Sequence, residues 1–350
     1  MRDITVFSGS GHVALAEEIC AELGAPLSPA EIRRFSNDCL QVQLQANCRE
    51  CDVFVIQPLV PPVQEHLVEL LLLLDAARDA SAARITAVIP HFAYARSDKK
   101  DAPRISIGAR LVADLIATAG ADRVLTMSLH AMQVHGFFRV PVDHLNALQE
   151  LAAYFRRRDL SHAVVVSPDL GNAKSATVFA RMLGTPVAAA VKERLTDDRV
   201  VISTIVGDVR GRSVIVLDDE IANGGTIAEL LTRLQELGVS GVAVACTHGL
   251  FTGRAIERLA AHAAEVTEVV TTNTVPLSEE KRRAGRVTVL SIAPLMAEAI
   301  RRIHDGRSIS SLFHDVPAVP VPVGSPVAGV MGDGGSQLPS GNPPRGETSG

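Results

Sequence analysis

The sequence predicts an α/β fold built on largely parallel sheets and divided between two domains. Short apolar, β-branched runs alternate with longer helical patterns along most of the chain, the rhythm of βαβ units. A length of 350 residues at 47% hydrophobic content supplies core for two domains of ordinary size. The apolar run Val214–Leu217 ends in two carboxylates and a small-residue turn, the usual exit of a buried strand toward a ligand.

The runs read as strands are Ile4–Ser8, Val53–Pro58, Ile85–Pro90, Arg123–Ser128, Ala163–Ser167, Ser213–Leu217, Val242–Cys246 and Glu268–Thr272. Each is bounded by turn formers or charge and is too short for a helix. Residues Val63–Arg78 and Ser106–Thr118 read as helices, the second entered through Ser106 just after Pro103. A charged helical stretch over Asn146–Ser161, with Arg156, Arg157 and Arg158, separates two alternating blocks. It sets the expected domains at residues 1–148 and 149–315. Residues 316–350 turn to Pro, Gly and Ser, the composition of a disordered tail. The Val191–Val206 segment, polar in its middle, reads as a hairpin-like flap.

A net charge of −5 argues against a nucleic-acid partner, whose phosphates need clustered Lys and Arg. The apolar stretch at Leu67–Leu74 is broken by Glu69 and too short to span a bilayer, so no membrane partner is expected. No secretory segment is read at the N-terminus, and five cysteines, an odd number, suit a reducing compartment. A cytoplasmic location is therefore expected. Cys48 and Cys51 form a single C-x-x-C without the further ligands a zinc site requires.

The chemistry is concentrated at strand ends. Gly224 and Gly225 let backbone N–H groups approach an anion, Thr226 adds a hydroxyl, and the following helix offers its positive end. Asp218 and Asp219 stand where they would grip vicinal ribose hydroxyls or a metal; an ordinary turn with a solvated acidic pair is the alternative. The loop of Arg96, Ser97, Asp98, Lys99 and Lys100 follows the strand ending at Pro90 and suits a polyphosphate. His130 and Asp169 are delivered by two further strand ends, a pair fitted to a hard cation such as Mg²⁺ shared with phosphate oxygens. Lys192 and Arg194 lie near the base of the flap, where closure would place two cations on a phosphoryl group in transfer.

These segments, taken in order, resemble the ribose-phosphate pyrophosphokinase family. The likeness runs from about Thr5 to Phe313 and includes Arg34-Phe35-Ser36, Tyr94-Ala95-Arg96, Leu129-His130-Ala131, Gly136-Phe137-Phe138, Ser167-Pro168-Asp169 and Gly207-Asp208-Val209. Thr274-Val275-Pro276 and Ser308-Ile309-Ser310 extend it toward the C-terminus. The resemblance implies two type I phosphoribosyltransferase-like domains with the active site between them. It implies transfer of the diphosphoryl group of ATP to the 1-hydroxyl of ribose 5-phosphate, with Mg²⁺, giving AMP and phosphoribosyl pyrophosphate for nucleotide biosynthesis.

Carried over by residue, it makes Lys192 and Arg194 catalytic and His130 and Asp169 metal-binding. ATP falls to Phe35, Asn37, Cys39, Arg96, Ser97, Asp98 and Lys99. Ribose 5-phosphate falls to Asp218, Asp219, Ala222, Asn223, Gly224, Gly225 and Thr226. In the family the loop after Phe35 comes from a neighbouring subunit, so a homo-oligomer, commonly a hexamer, is implied. Departures from the family pattern are Asn37-Asp38-Cys39 for Asp-Gly-Glu, Ser128 for Asp, and Ala222-Asn223 for Asp-Thr. They leave two alternatives open: a non-catalytic regulatory homologue in a mixed oligomer, or a related diphosphokinase or phosphoribosyltransferase using another nucleotide or sugar.

Overall fold

The computed structural model describes residues 3–196 and 199–312, with the side chains of 193–200 outside that description. The stretch 316–350, expected as a tail, lies outside the described residues. Two sheets and a separate hairpin organise the rest.

The first half contributes β1 (Ile4–Ser8), α1 (Val13–Leu23), β2 (Ala30–Arg34), β3 (Leu40–Leu44), β4 (Asp52–Ile56), α2 (Val63–Asp79), β5 (Arg84–Ile89), α3 (Gly108–Ala119), β6 (Arg123–Met127) and β7 (Val142–Leu145). Strands β1, β4, β5, β6 and β7 form a five-stranded sheet in that order, and every pair in it is parallel. All five residues of β4 are buried, as a strand covered on both faces demands, which is why such strands read as unbroken apolar runs. One face is covered by α2 and α3, through Leu70, Leu73, Leu74, Val112 and Ile116. Strands β2 and β3 stand apart as an antiparallel hairpin.

The second half contributes α4 (Leu148–Phe155), β8 (Ala163–Ser167), α5 (Ala173–Leu183), β9 (Val187–Thr196), β10 (Arg199–Val206), β11 (Ser213–Ile221), α6 (Gly225–Glu236), β12 (Gly241–Gly249), α7 (Ala255–Ala260), β13 (Val266–Thr272), α8 (Glu279–Ala284), β14 (Val287–Leu290) and α9 (Ala293–His304). A seven-stranded sheet runs β10-β9-β8-β11-β12-β13-β14, parallel throughout except for the antiparallel β9–β10 pair. Leu230, Leu231 and Leu234 of α6 are buried on one face and Phe155 and Phe179 on the other. Each such side chain contributes roughly 1.5–3 kcal/mol by leaving water.

Several sequence expectations shift in the structure. The helix expected from Ser106 starts at Gly108, and its first N–H is taken by Ser97 Oγ at 3.0 Å. Helix α4 ends at Phe155, so Arg156–Arg158 form a turn instead of a helical run. There Arg158 is held by Glu268 and lies 4.9 Å over the Tyr154 ring. Strands β11 and β12 run four and three residues beyond the expected Leu217 and Cys246, carrying polar side chains into the rim of the sheet. Helix α9, the last α-helix described, crosses back to pack with α1 against the first sheet through Met296, Ile300 and Ile303. Both sheets belong to one compact unit. We propose the division at 148 and 149 as the boundary between two sheet-centred domains, with α9 returning to the first.

Candidate active site

The carboxyl ends of β5, β6, β8, β11 and β12 converge on one cavity of about 850 Å³. Parallel α/β sheets place ligand sites there because loops leaving the strand ends are free to diverge. Its lining joins residues from both halves of the chain: Arg96, Asp98, Lys99 and His130 from the first, and Asp169, Lys192, Asp218, Asp219 and the whole 222–226 turn from the second.

The turn is built for an anion. Gly224 has φ +71°, a left-handed conformation that glycine adopts without strain, and an added Cβ would lie 3.3 Å from the Cα of Ala255. Helix α6 starts at the next residue, and Gly225, Thr226 and Ile227 of its first turn line the cavity, where the positive end of the helix favours an anion. Asn223 Oδ1 accepts the Gly225 N–H at 3.0 Å, so its side chain acts first as the turn's own acceptor. Arg258 Nη1 donates to Asn223 O at 2.6 Å and braces the turn from behind.

The two aspartates at the end of β11 are driven apart electrostatically. Burial, together with the neighbouring Asp219 charge, pushes Asp218 well above the carboxylate range. Asp219 moves the other way: against the opposing effect of burial, the hydrogen bond with His130 holds it below that range. His130 Nδ1 lies 2.7 Å from Asp219 Oδ2, and this bond raises the imidazole above its ordinary value. The pair is thus split, with Asp218 biased toward the protonated form that can donate to a hydroxyl and Asp219 toward the anion that accepts from one.

At the end of β8, Asp169 Oδ1 accepts from Asn172 N at 3.0 Å, while Oδ2 takes Lys192 Nζ at 2.7 Å. Burial opposes it, yet the Lys192 ammonium holds Asp169 below the usual carboxylate range. Among the described residues no three His, Cys, Asp or Glu side chains are grouped as a ready-made metal cage. One imidazole and one carboxylate on a shared cavity still fit Mg²⁺, which takes few protein donors and completes its shell with phosphate oxygens and water.

Not every expected residue reaches the cavity. Ser97 is spent as the cap of α3. Phe35, Asn37 and Cys39 sit exposed at the β2–β3 turn and do not line this chain's cavity. The side chain of Arg194 lies outside the described residues. Asp98 does line it and is fastened by Gln133. Gln133, Asn146, Gly171, Asn172 and Lys174 also line the cavity although the sequence reading passed over them. The Asp-Leu-Gly-Asn turn before α5 was the available signal for Gly171 and Asn172.

Residues 4–120 match the N-terminal domain of ribose phosphate pyrophosphokinase, and residues 191–314 match the phosphoribosyl synthetase-associated domain. A putative ribose-phosphate pyrophosphokinase of Streptomyces coelicolor is 65% identical over 318 residues, covering 91% of this chain and 100% of that protein. The chain belongs to the ribose-phosphate pyrophosphokinase family. A ribose-phosphate pyrophosphokinase of Deinococcus radiodurans is 48% identical over 314 residues, covering 89% of this chain and 98% of that one. The crystal structure of phosphoribosylpyrophosphate synthetase from Mycobacterium smegmatis superposes with a TM-score of 0.82 at 41% identity, covering 87% of this chain and 100% of that one.

As a ribose-phosphate pyrophosphokinase family member the chain is a diphosphate-transferring enzyme with a largely parallel α/β fold, as expected from its sequence. Among the described residues, no helix is long and apolar enough to cross a membrane.

Proposed function

We propose that this enzyme binds ATP and ribose 5-phosphate together in the 850 Å³ cavity and moves the diphosphoryl group between them. The reading is carried by one observation: the basic loop of Arg96 to Lys99, the Lys192 ammonium, the Asp218–Asp219 pair and the anion turn all open on the same cavity. The turn at 222–226 takes the 5-phosphate, and Asp218 and Asp219 take the ribose hydroxyls. Arg96 and Lys99 face the nucleotide phosphates, and Asp98, held by Gln133, belongs to the same nucleotide loop.

The 1-hydroxyl oxygen of the sugar attacks the β-phosphorus of ATP. A bond forms from that oxygen to phosphorus as the bond between the β-phosphorus and the α,β-bridging oxygen breaks; AMP leaves with the bridging oxygen and its electron pair, and the hydroxyl proton is released to water. Positioning and charge neutralisation supply most of the acceleration in such transfers. Lys192 starts 2.7 Å from Asp169 at the base of the β9–β10 pair, close enough to pass from that carboxylate to a phosphate oxygen. Arg194, two residues further along β9, is proposed as its companion.

Mg²⁺, held by His130 and Asp169, would neutralise the phosphates and withdraw electrons from phosphorus. His130 Nδ1 is engaged by Asp219, so Nε2 is the ring atom left for a ligand. With Nδ1–H held by Asp219, His130 would offer a cation its Nε2 in the unprotonated form. Five unpaired cysteines support a cytoplasmic setting, and the exposed Phe35–Cys39 turn supports assembly in which it completes a neighbour's nucleotide pocket.

Incubation of the purified protein with ATP, ribose 5-phosphate and Mg²⁺ tests the reading. AMP released in proportion to phosphoribosyl pyrophosphate supports it, and ADP as the nucleotide product overturns it. Repeating the assay with GTP and CTP asks whether Asn37 and Cys39 relax nucleotide choice.

A further inference from the structure

We propose that Glu220 is a positioning residue that fastens the nucleotide loop to the sugar-binding strand and aims the Arg96 guanidinium at the nucleotide phosphates. The inference rests on the reading of Arg96 as a nucleotide-binding residue. Glu220 follows the aspartate pair on β11 and precedes the anion turn, so its backbone belongs to the acceptor side. Its side chain belongs to the other. Glu220 Oε1 lies 3.4 Å from Arg96 Nε, and Arg96 Nη2 lies 3.4 Å from Glu220 O. Glu220 Oε2 lies 3.2 Å from His91 Nε2.

His91 is itself immobilised. Its Nδ1 is 2.9 Å from Leu59 O, and its ring meets the buried ring of His248 edge-on at 4.9 Å. His248 pairs with Glu220 in the β11–β12 register and reaches back to Ser128 O at 3.2 Å. The buried ring of His248 thus backs His91, which in turn braces Glu220. The carboxylate is only 12% exposed, whereas Arg96 is 45% exposed, so the acid is the fixed partner and the guanidinium the adjustable one. Burial works against the charge on Glu220, and His91 and Arg96 hold it below the usual carboxylate range nonetheless.

The guanidinium has five N–H donors. Glu220 occupies the Nε edge and the backbone carbonyl one further donor, which leaves the opposite edge for phosphate oxygens in a fixed orientation. Without Glu220 the Arg96 side chain would have to be ordered by the nucleotide, and that entropy would appear in nucleotide affinity.

Calorimetric titration with ATP in the absence of ribose 5-phosphate, beside steady-state kinetics on the same preparations, tests this. Glu220→Gln keeps the shape and removes the charge; Glu220→Asp keeps the charge and withdraws it. Both are expected to weaken ATP binding about five- to tenfold, the range of one charge-assisted contact. Turnover at saturation and the KM for ribose 5-phosphate are expected to stay within about twofold, because the sugar contacts are untouched. In an Arg96→Ala background Glu220→Gln is expected to add nothing further. Unchanged ATP affinity, tighter ATP binding, equal losses for both substrates, or an undiminished effect in the Arg96→Ala background would each overturn the proposal. A wild type that makes no AMP while Glu220→Gln still weakens ATP binding would sink the proposed reaction and leave this inference standing.

Discussion

Lys192 Nζ and Asp169 Oδ2 are 2.7 Å apart, so the flap's described cation rests on the carboxylate expected to hold the metal. Both side chains are partly exposed, at 25% and 37%, and such a pair is worth at most about 1 kcal/mol to folding. Its proposed importance is catalytic. Lys192→Ala should lower turnover by at least about a hundredfold, the scale of one transition-state charge contact, while the melting temperature shifts by no more than a few degrees. Paired rate and melting measurements check this; a large loss of stability would make the residue structural.

Acid should destabilise the protein through the buried His248 and the half-buried His144. Burial pushes His144 and His248 down to about 4, from an ordinary 6.5. Their native values lie below the unfolded one, so the unfolded chain takes up protons first as pH falls. Stability from each neutral ring is full above about 6.5 and is lost as pH drops from there toward about 4. The slope approaches about 1.4 kcal/mol per pH unit per histidine. Denaturant unfolding across that window should show this slope, and His248→Gln should flatten it. An identical slope in the variant would remove His248 from the account.

The Asn223 side chain serves the turn before it serves any ligand, since Oδ1 accepts from Gly225 N at 3.0 Å. Asn223→Thr retains an oxygen acceptor at that place and should change the KM for ribose 5-phosphate by less than about threefold. Asn223→Ala should raise it about fivefold, the worth of one hydrogen bond. Initial-rate kinetics at saturating ATP separate the two, and equal effects would show that the acceptor is irrelevant.

The cradle was legible because its chemistry is local: strand, acidic pair, glycine turn and helix follow within one stretch of chain. Strands Ile4–Ser8 and Ala163–Ser167 were legible for the same reason, as short β-rich runs ending in a serine. The β2–β3 hairpin was not read as strands, because Glu31, Arg33, Gln41 and Gln43 leave it without a continuous apolar signal. Ser97 was read as a ligand because its part in capping Gly108 is visible only when the loop folds back on α3. Glu220 was missed altogether. Its partners Arg96 and His91 are more than a hundred residues away, and in sequence it is simply one more acid after a pair.

Helix α6 presents the anion turn from a packed base, with Leu230 fully buried on its inner face. Leu230→Ala should destabilise the protein by about 2–5 kcal/mol, combining lost burial with the cavity left behind. Chemical denaturation measures the loss. Nucleotide affinity should be nearly unchanged while the variant remains folded, because Arg96 and Glu220 are not in contact with that side chain.

Transfer of a diphosphoryl unit between two substrates in one cavity is tested most directly by ATP labelled at the β-phosphorus. With ribose 5-phosphate and Mg²⁺, the label should appear in phosphoribosyl pyrophosphate, match the AMP formed, and fall to background in Lys192→Ala. Label recovered in ADP, or AMP formed without ribose 5-phosphate, would contradict the account.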